Sequence, residues 1–483
     1  MAVEFHGARA TEIPFSPSSI KPQAFTLPIF VGTAPVTLAT REGNAVNVPF
    51  LIETMEQAKY YLGYSEDWAN FNLCEAMFSH FVVYGQSPAI FVNVLNPATH
   101  KTAVAAENYT IVNGVVTVTK SGIVPGSVVV KSADGTTTYV VEDDYEVTTD
   151  QNGNTLIGVV TGGAIPSNAT ALSVAFDVLD GSKVTDAEYI GGYNQTTGAR
   201  TGLELTDEVF PRYQLIPNLI VIPGKSENPV IAKAMVSKAK SINGLFRARA
   251  LTDVDSSKRY LELIEWKEEN GFTDPFQINT YPKFKKDGRI YHASTHVAGA
   301  ICAIDAINRA IPYQSPSNTP LLVDGTVDKD GNDMFLPYDQ ASELNRYGIV
   351  TGINFTGGFK VWGNRTGGYP DVKDPQQSFI PVARMFDWIM NTLVTTAWED
   401  VDAPLNRRLA DYVLDKVNFW MNGLVSGGAL LGGRVEFVET DNTDDDLMNG
   451  KMTFRVYITP PSPAQEINFL VQYDESYLST LTA

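Results

Sequence analysis

The sequence predicts a multidomain α/β (α+β) chain: a mixed-sheet core, an inserted all-β domain, and extended N- and C-terminal arms. Three observations predict it. Short apolar runs alternate with helically spaced segments across 25–96 and 187–345, the pattern of a mostly parallel sheet covered by helices. Composition shifts near residue 97 to Val, Thr, Gly and Asp and shifts back near 187. Both ends of the chain read as extended segments.

Residues 1–24 read as an extended arm, with a frayed terminus as the alternative. Val3, Phe5, Ala8 and Ile13 lie among polar residues, and PFSPSSIKP (14–22) follows. Proline fixes φ and lacks an N–H, so this stretch favours a semi-rigid link over a helix. The core domain is discontinuous, 25–96 plus 187–345. FTLPIFVGTA (25–34) and AIFVNVLN (89–96) read as buried strands, and 54–62 and 68–83 show helical spacing. After the insertion come strand NLIVIPG (218–224), helix 228–243, strand 244–253, helix 256–271, strand 276–284 and helix 293–310. Val297, Ala300, Ile301, Ile304 and Ile307 share a face of that last helix.

The inserted domain, 97–186, predicts strands at 110–120, 127–147, 155–162 and 171–179, as a small barrel or sandwich. Asn113-Gly114, Asp134-Gly135 and Asn152-Gly153 are hairpin-turn signals, because these residues tolerate positive φ. The C-terminal domain, 346–465, predicts two long helices (378–398 and 404–425) and then hairpin-like strands. GKMTFRVYITP (450–460) and AQEINFLVQYD (464–474) alternate apolar and polar residues, as half-exposed antiparallel strands do. Residues 466–483 form the closing arm strand.

The 483 residues suggest roughly three domains at ~150 residues each. A net charge of −19 makes nucleic acid and anionic lipid poor partners. Two cysteines, Cys74 and Cys302, exclude a disulfide framework and fit a reducing compartment. Met1–Ile13 lacks the charged start and apolar run of a signal peptide, and no run of ~18 apolar residues predicts a membrane span.

The chemical motifs are incomplete. Val221–Ser226 (VIPGKS) ends like a phosphate-binding loop, but position 219 is Leu where that loop needs Gly, so a strand-to-helix turn is expected. His292 and His296 have helical spacing without the intervening Glu of zinc hydrolases, and read as polar interface or cap residues. Asp328, Asp330 and Asn332 match a calcium loop poorly, and 441–446 (DNTDDD) is an acidic run; both read as solvated loops. No nucleophile–base pattern can be assigned, so no catalytic residue, metal or cofactor is expected.

The C-terminal third resembles the contractile phage tail sheath family, which includes R-type pyocin sheaths. Val361–Thr366 (VWGNRT) resembles the family's W-G-x-R-T signature, carried here by Trp362, Gly363, Arg365 and Thr366. His296–Asp305 (HVAGAICAID) resembles the helix near the end of the family's α/β domain, and 345–354 (NRYGIVTGIN) the entry to its C-terminal domain. Ile380–Met390 resembles the next helix, with Val-Ala-Arg where the family has V-R-R. Leu424–Gly433, Gly450 and 458–464 (ITPPSPA) resemble the closing strands, and His6–Ile13 resembles the arm.

The resemblance implies a structural subunit, not an enzyme. Such subunits stack as hexameric rings around an inner tail tube in the virion tail and contract to drive the tube through the host envelope. It implies self-association, a tail tube protein, and baseplate and tail terminator proteins as partners, with assembly in the host bacterial cytoplasm. It implies that arms from neighbouring subunits add strands to a sheet, here Val3, Phe5, Ala8 and Ile13 at one end and Ile467, Phe469, Val471 and Tyr473 at the other. A tube contact is expected on the helix 404–420 through Arg407, Arg408 and Lys416. A phage-derived bacteriocin or injection-system sheath is the near alternative. A hydrolase carrying a β-domain is the alternative from another class, and a carbohydrate-binding or adhesin-like monomer is the third.

Overall fold

The computed structural model describes residues 20, 22–150 and 153–481. The arm residues Val3, Phe5, Ala8 and Ile13, and Asn152 of one turn signal, lie outside the described residues.

Eight strands form the central sheet, in the order Phe359–Trp362, Ile349–Asn354, Gln277–Thr280, Arg249–Asp253, Leu219–Val221, Pro28–Gly32, Ala89–Asn93, Pro49–Ile52. The six inner strands pair in parallel and both edges are antiparallel. Alternate residues of each inner strand feed opposite faces. Ile29, Val31, Ile90, Val92 and Ile220 meet Ile231 and Met235 of helix Pro229–Lys240. Phe30, Phe91, Leu219, Val221 and Leu251 meet Val297 and Ile301 of helix Ala293–Ile307. Ile304 of that helix is buried too, but Ile307, at its last residue, is exposed. The edge strand Pro49–Ile52 was not anticipated: PFLI is only four residues long.

The sheet extends past the sequence-derived boundary at 345/346. Strand Ile349–Asn354 hydrogen-bonds to Gln277–Thr280, pairing Asn279 with Ile349 and Thr280 with Val350. The entry to the C-terminal third is therefore part of the α/β core, because Val350 and Val361 bury their side chains in it.

The insertion holds two three-stranded sheets around one core of Val116, Val118, Val130, Ile157, Leu172, Val174 and Phe176. Asn113 (φ 51°) and Gly114 (φ 79°) make their turn with both residues left-handed, as that dipeptide allows. Strand Lys101–Thr110 was missed, since its small and polar residues form an exposed edge. The root of the insertion is tied to the core through Asn70, whose side chain donates to the Leu179 carbonyl (3.0 Å) and accepts from Gly181 N–H (2.5 Å).

Past the sheet, helices Ile380–Ala397 and Arg407–Ser426 lead to a hairpin of Gly432–Glu436 with Arg455–Thr459. Val435 packs on Val417 and Met421 of the second helix. Segment 464–474, expected as a strand, pairs with no strand among the described residues and its side chains are exposed.

Candidate functional site

Two buried ion pairs join the first long helix to the α/β core. Arg384 pairs with Asp305, which also accepts from the Thr26 hydroxyl at 2.5 Å. Arg249 Nε meets Asp387 Oδ2 at 2.5 Å, and its other nitrogens donate to the carbonyls of Pro275 and Ala383. Burial raises the Asp387 carboxyl against the opposing pull of Arg249. Asn391 adds a two-point bond to the Arg247 backbone, at 2.9 and 2.8 Å. Two of the resembling segments thus meet directly: Asp305 closes one and Arg384 is the arginine retained in the other. Sequence reasoning quoted both without pairing them. The available signal was a lone arginine and a lone aspartate in the otherwise apolar run IPVARMFDWIM.

The signature residues form a joint. Asn345 accepts from Trp362 Nε1 (3.0 Å) and donates to the carbonyls of Trp362 and Ile349 (2.9 Å each). Gly363 has φ 138°, and a Cβ there would lie 2.6 Å from the Asn345 side chain, so glycine is required. Thr366 is fully buried, with N–H and hydroxyl bonded to the carbonyls of Ser378 (2.9 Å) and Gln377 (2.8 Å). The Arg365 guanidinium lies 3.6 Å from the Phe379 ring centroid and 4.3 Å from that of Tyr369. It donates to Ser378 Oγ (2.9 Å) and to Gln465 Oε1 (2.8 Å).

The closing arm leaves the body at that last bond. Pro460 is buried, whereas Ile467, Phe469, Val471 and Tyr473 are all exposed, Phe469 at 85% and Leu470 between them at 98%. Ile20, where the other arm joins, packs on the cluster of Val417, Met421 and Val435, which Val456 and Ile458 also flank. Both arms are therefore rooted beside the same hairpin. A two-stranded sheet is marginal alone; the Asn418 amide bonds both backbone groups of Val435 on one outer edge (3.2 and 2.9 Å), and the Arg455–Thr459 edge has no strand partner among the described residues.

The three basic residues proposed for the tube do not form one surface. Arg407 is exposed and bridges Asp411 at 2.9 Å, and Arg408 is exposed beside it. Lys416 is buried, with Nζ 3.8 Å from Asp400 and 4.0 Å from Glu399, because its position on the helix faces the turn joining the two helices.

The partial motifs are occupied internally. An open parallel sheet commonly binds ligands at the crevice where strand order reverses, here between Pro28–Gly32 and Leu219–Val221. Asn72 fills it, donating to the Pro223 carbonyl and accepting from Thr33 N–H, both at 2.7 Å. In VIPGKS, Ser226 donates to buried Asp253 (3.0 Å), Lys225 stands 5.5 Å over the Tyr189 ring, and Gly224 (φ 67°) passes under the His292 ring. His292 precedes its helix and bonds Glu75 at 2.8 Å through Nδ1; burial pulls its pKa down, but the charge and hydrogen bond of Glu75, with the charge of Asp253, together raise it. His296 is not an interface residue. It is enclosed by the rings of Tyr84, Phe284 and Tyr291, and burial lowers its pKa to about 3. Asp328 Oδ1 accepts from the N–H groups of Asp330 and Asn332 at 2.9 Å each, a self-contained turn. Among the described residues no cluster of three or more His, Cys, Asp or Glu is placed to hold a metal, and no helix is long and apolar enough to cross a membrane.

A chain built this way, with its sheet crevice filled and an exposed apolar arm, has the fold of a contractile sheath structure. The chain is similar to curated tail sheath proteins. It is 26% identical over 469 residues to the tail sheath protein of Burkholderia phage BcepMu, covering 93% of each chain. It is 26% identical over 326 residues to a putative prophage major tail sheath protein of Pseudomonas aeruginosa, covering 65% of this chain and 80% of that one. No family model matches it. Its fold is that of a chain in the anti-feeding prophage baseplate (TM-score 0.59, 15% identity, 98% and 100% coverage). The same holds for the sheath of the PVC extracellular contractile injection system in its contracted state (TM-score 0.59, 16% identity, 99% of each chain).

Proposed function

We propose that this chain polymerises as stacked hexameric rings around an inner tail tube, engages baseplate and terminator proteins at the ends of the stack, and contracts to drive the tube through a host envelope. The subunits are linked by their arms. Val3–Ile13 and Ile467–Tyr473 from neighbouring copies add strands to the hairpin of Gly432–Glu436 and Arg455–Thr459. The observation that supports this reading is the shared root of both arms beside a two-stranded sheet whose Arg455–Thr459 edge has no strand partner among the described residues. Main-chain ladders hold without demanding fixed side-chain packing, so linked subunits can shift against one another. The exposed start of helix Arg407–Ser426, with Arg407 and Arg408, faces the tube.

Deletion of residues 1–13 or of 466–483 tests the linkage. Each variant is expected to stay folded and monomeric and to form no tubes by electron microscopy. Normal assembly and contraction by either variant would overturn the proposed linkage.

A further inference from the structure

We propose that Arg365 clamps the root of the C-terminal arm and so sets the point and direction in which the arm leaves the subunit, an inference that rests on reading 466–483 as a linking arm. The guanidinium is held flat over Phe379 and Tyr369 and tied to Ser378. Its remaining fork reaches Gln465, a hundred residues away in sequence. Across 465–474, among the described residues, Gln465 bonds the body; Asn468 bonds Glu466 within the arm, and the side chains from 466 to 474 are exposed. The chain before it, Thr459-Pro-Pro-Ser-Pro463, is stiffened by three prolines, with Pro460 buried. A stiff lead fixed at both ends aims the free segment. A flat ring stack and two divergent donors need a planar guanidinium, which lysine cannot supply. The signature arginine is thus a positioning residue for assembly.

The test uses full-length Q465A, Q465E, Q465K and R365K, with the critical concentration for tube formation read by sedimentation and the thermal midpoint of the monomer as a control. Gln465 is exposed, so its three variants should melt with the parent. Q465A should raise the critical concentration about fivefold, the loss of one charge-assisted hydrogen bond per subunit. Q465K should raise it further by repulsion, and Q465E should assemble at least as well as the parent. Combining R365K with Q465A should be no worse than R365K alone. Equal critical concentrations across Ala, Glu and Lys at 465 would overturn the clamp, and so would a lowered melting midpoint for Q465A. If the 466–483 deletion fails to assemble while the Gln465 series is flat, the clamp falls and the arm stands. If the deletion assembles normally, the arm reading falls.

Discussion

Replacing Asp305 with leucine strands a guanidinium. Arg384 is only 4% exposed in its side chain, and among the described residues Asp305 is its carboxylate partner at bonding distance; the Thr26 hydroxyl loses its acceptor as well. Removing one member of a buried pair costs about 3–5 kcal/mol, because the other charge stays buried. R384M should cost a similar amount by leaving Asp305 in the same place. Replacing both with apolar residues of similar volume removes the uncompensated charge, so D305L/R384M should lie within about 2 kcal/mol of the parent. The coupling energy from this cycle then exceeds about 3 kcal/mol. Equilibrium urea unfolding of the four monomers reads it directly. A cost below about 1 kcal/mol for D305L, or single costs that simply add, would refute the claim that this pair welds the long helix to the sheet core.

Other outcomes follow from the same geometry. G224A should destabilise the subunit by about 1–3 kcal/mol in denaturant unfolding, since φ is 67° and a Cβ would lie 2.7 Å from the His292 ring. His296 has a folded pKa lowered to about 3, so its stabilisation is present above pH ~6.5 and declines as pH falls toward 3. H296F should therefore flatten the acid limb of stability against pH by up to ~1.4 kcal/mol per pH unit. His292 acts in the opposite sense: its raised pKa gives stability present below ~6.5 and lost as pH rises through the folded value. R407E/R408E should leave the monomer's unfolding midpoint unchanged and abolish co-assembly with tube protein, whereas K416E should lower the midpoint; unimpaired co-assembly by the double variant would displace the tube contact from this helix.

The inner strands were legible because burial on both faces leaves an uninterrupted apolar run, as in IFV and LIV. The long helices were legible from spacing. Other elements were not legible, for separate physical reasons. Lys101–Thr110 is an exposed edge, so its residues carry no burial signal. Ile349–Asn354 reads as a strand in any domain, and only its pairing with Gln277–Thr280 assigns it to the core. Lys416 looked like a surface cation because sequence does not reveal that Glu399 and Asp400 fold beside it. Segment 464–474 shows the converse case: its pattern is that of a strand, but it has no strand partner among the described residues. At the candidate site, Trp362, Gly363, Arg365 and Thr366 were recognised as a signature without a role. Their roles depend on Asn345, Ser378, Phe379 and Gln465, which are not all nearby in sequence.

Negative-stain electron microscopy of the purified full-length chain, raised through its assembly concentration, tests the central claim most directly. Striated tubes with six-fold end views are the predicted result. Discrete monomers at every concentration would contradict it.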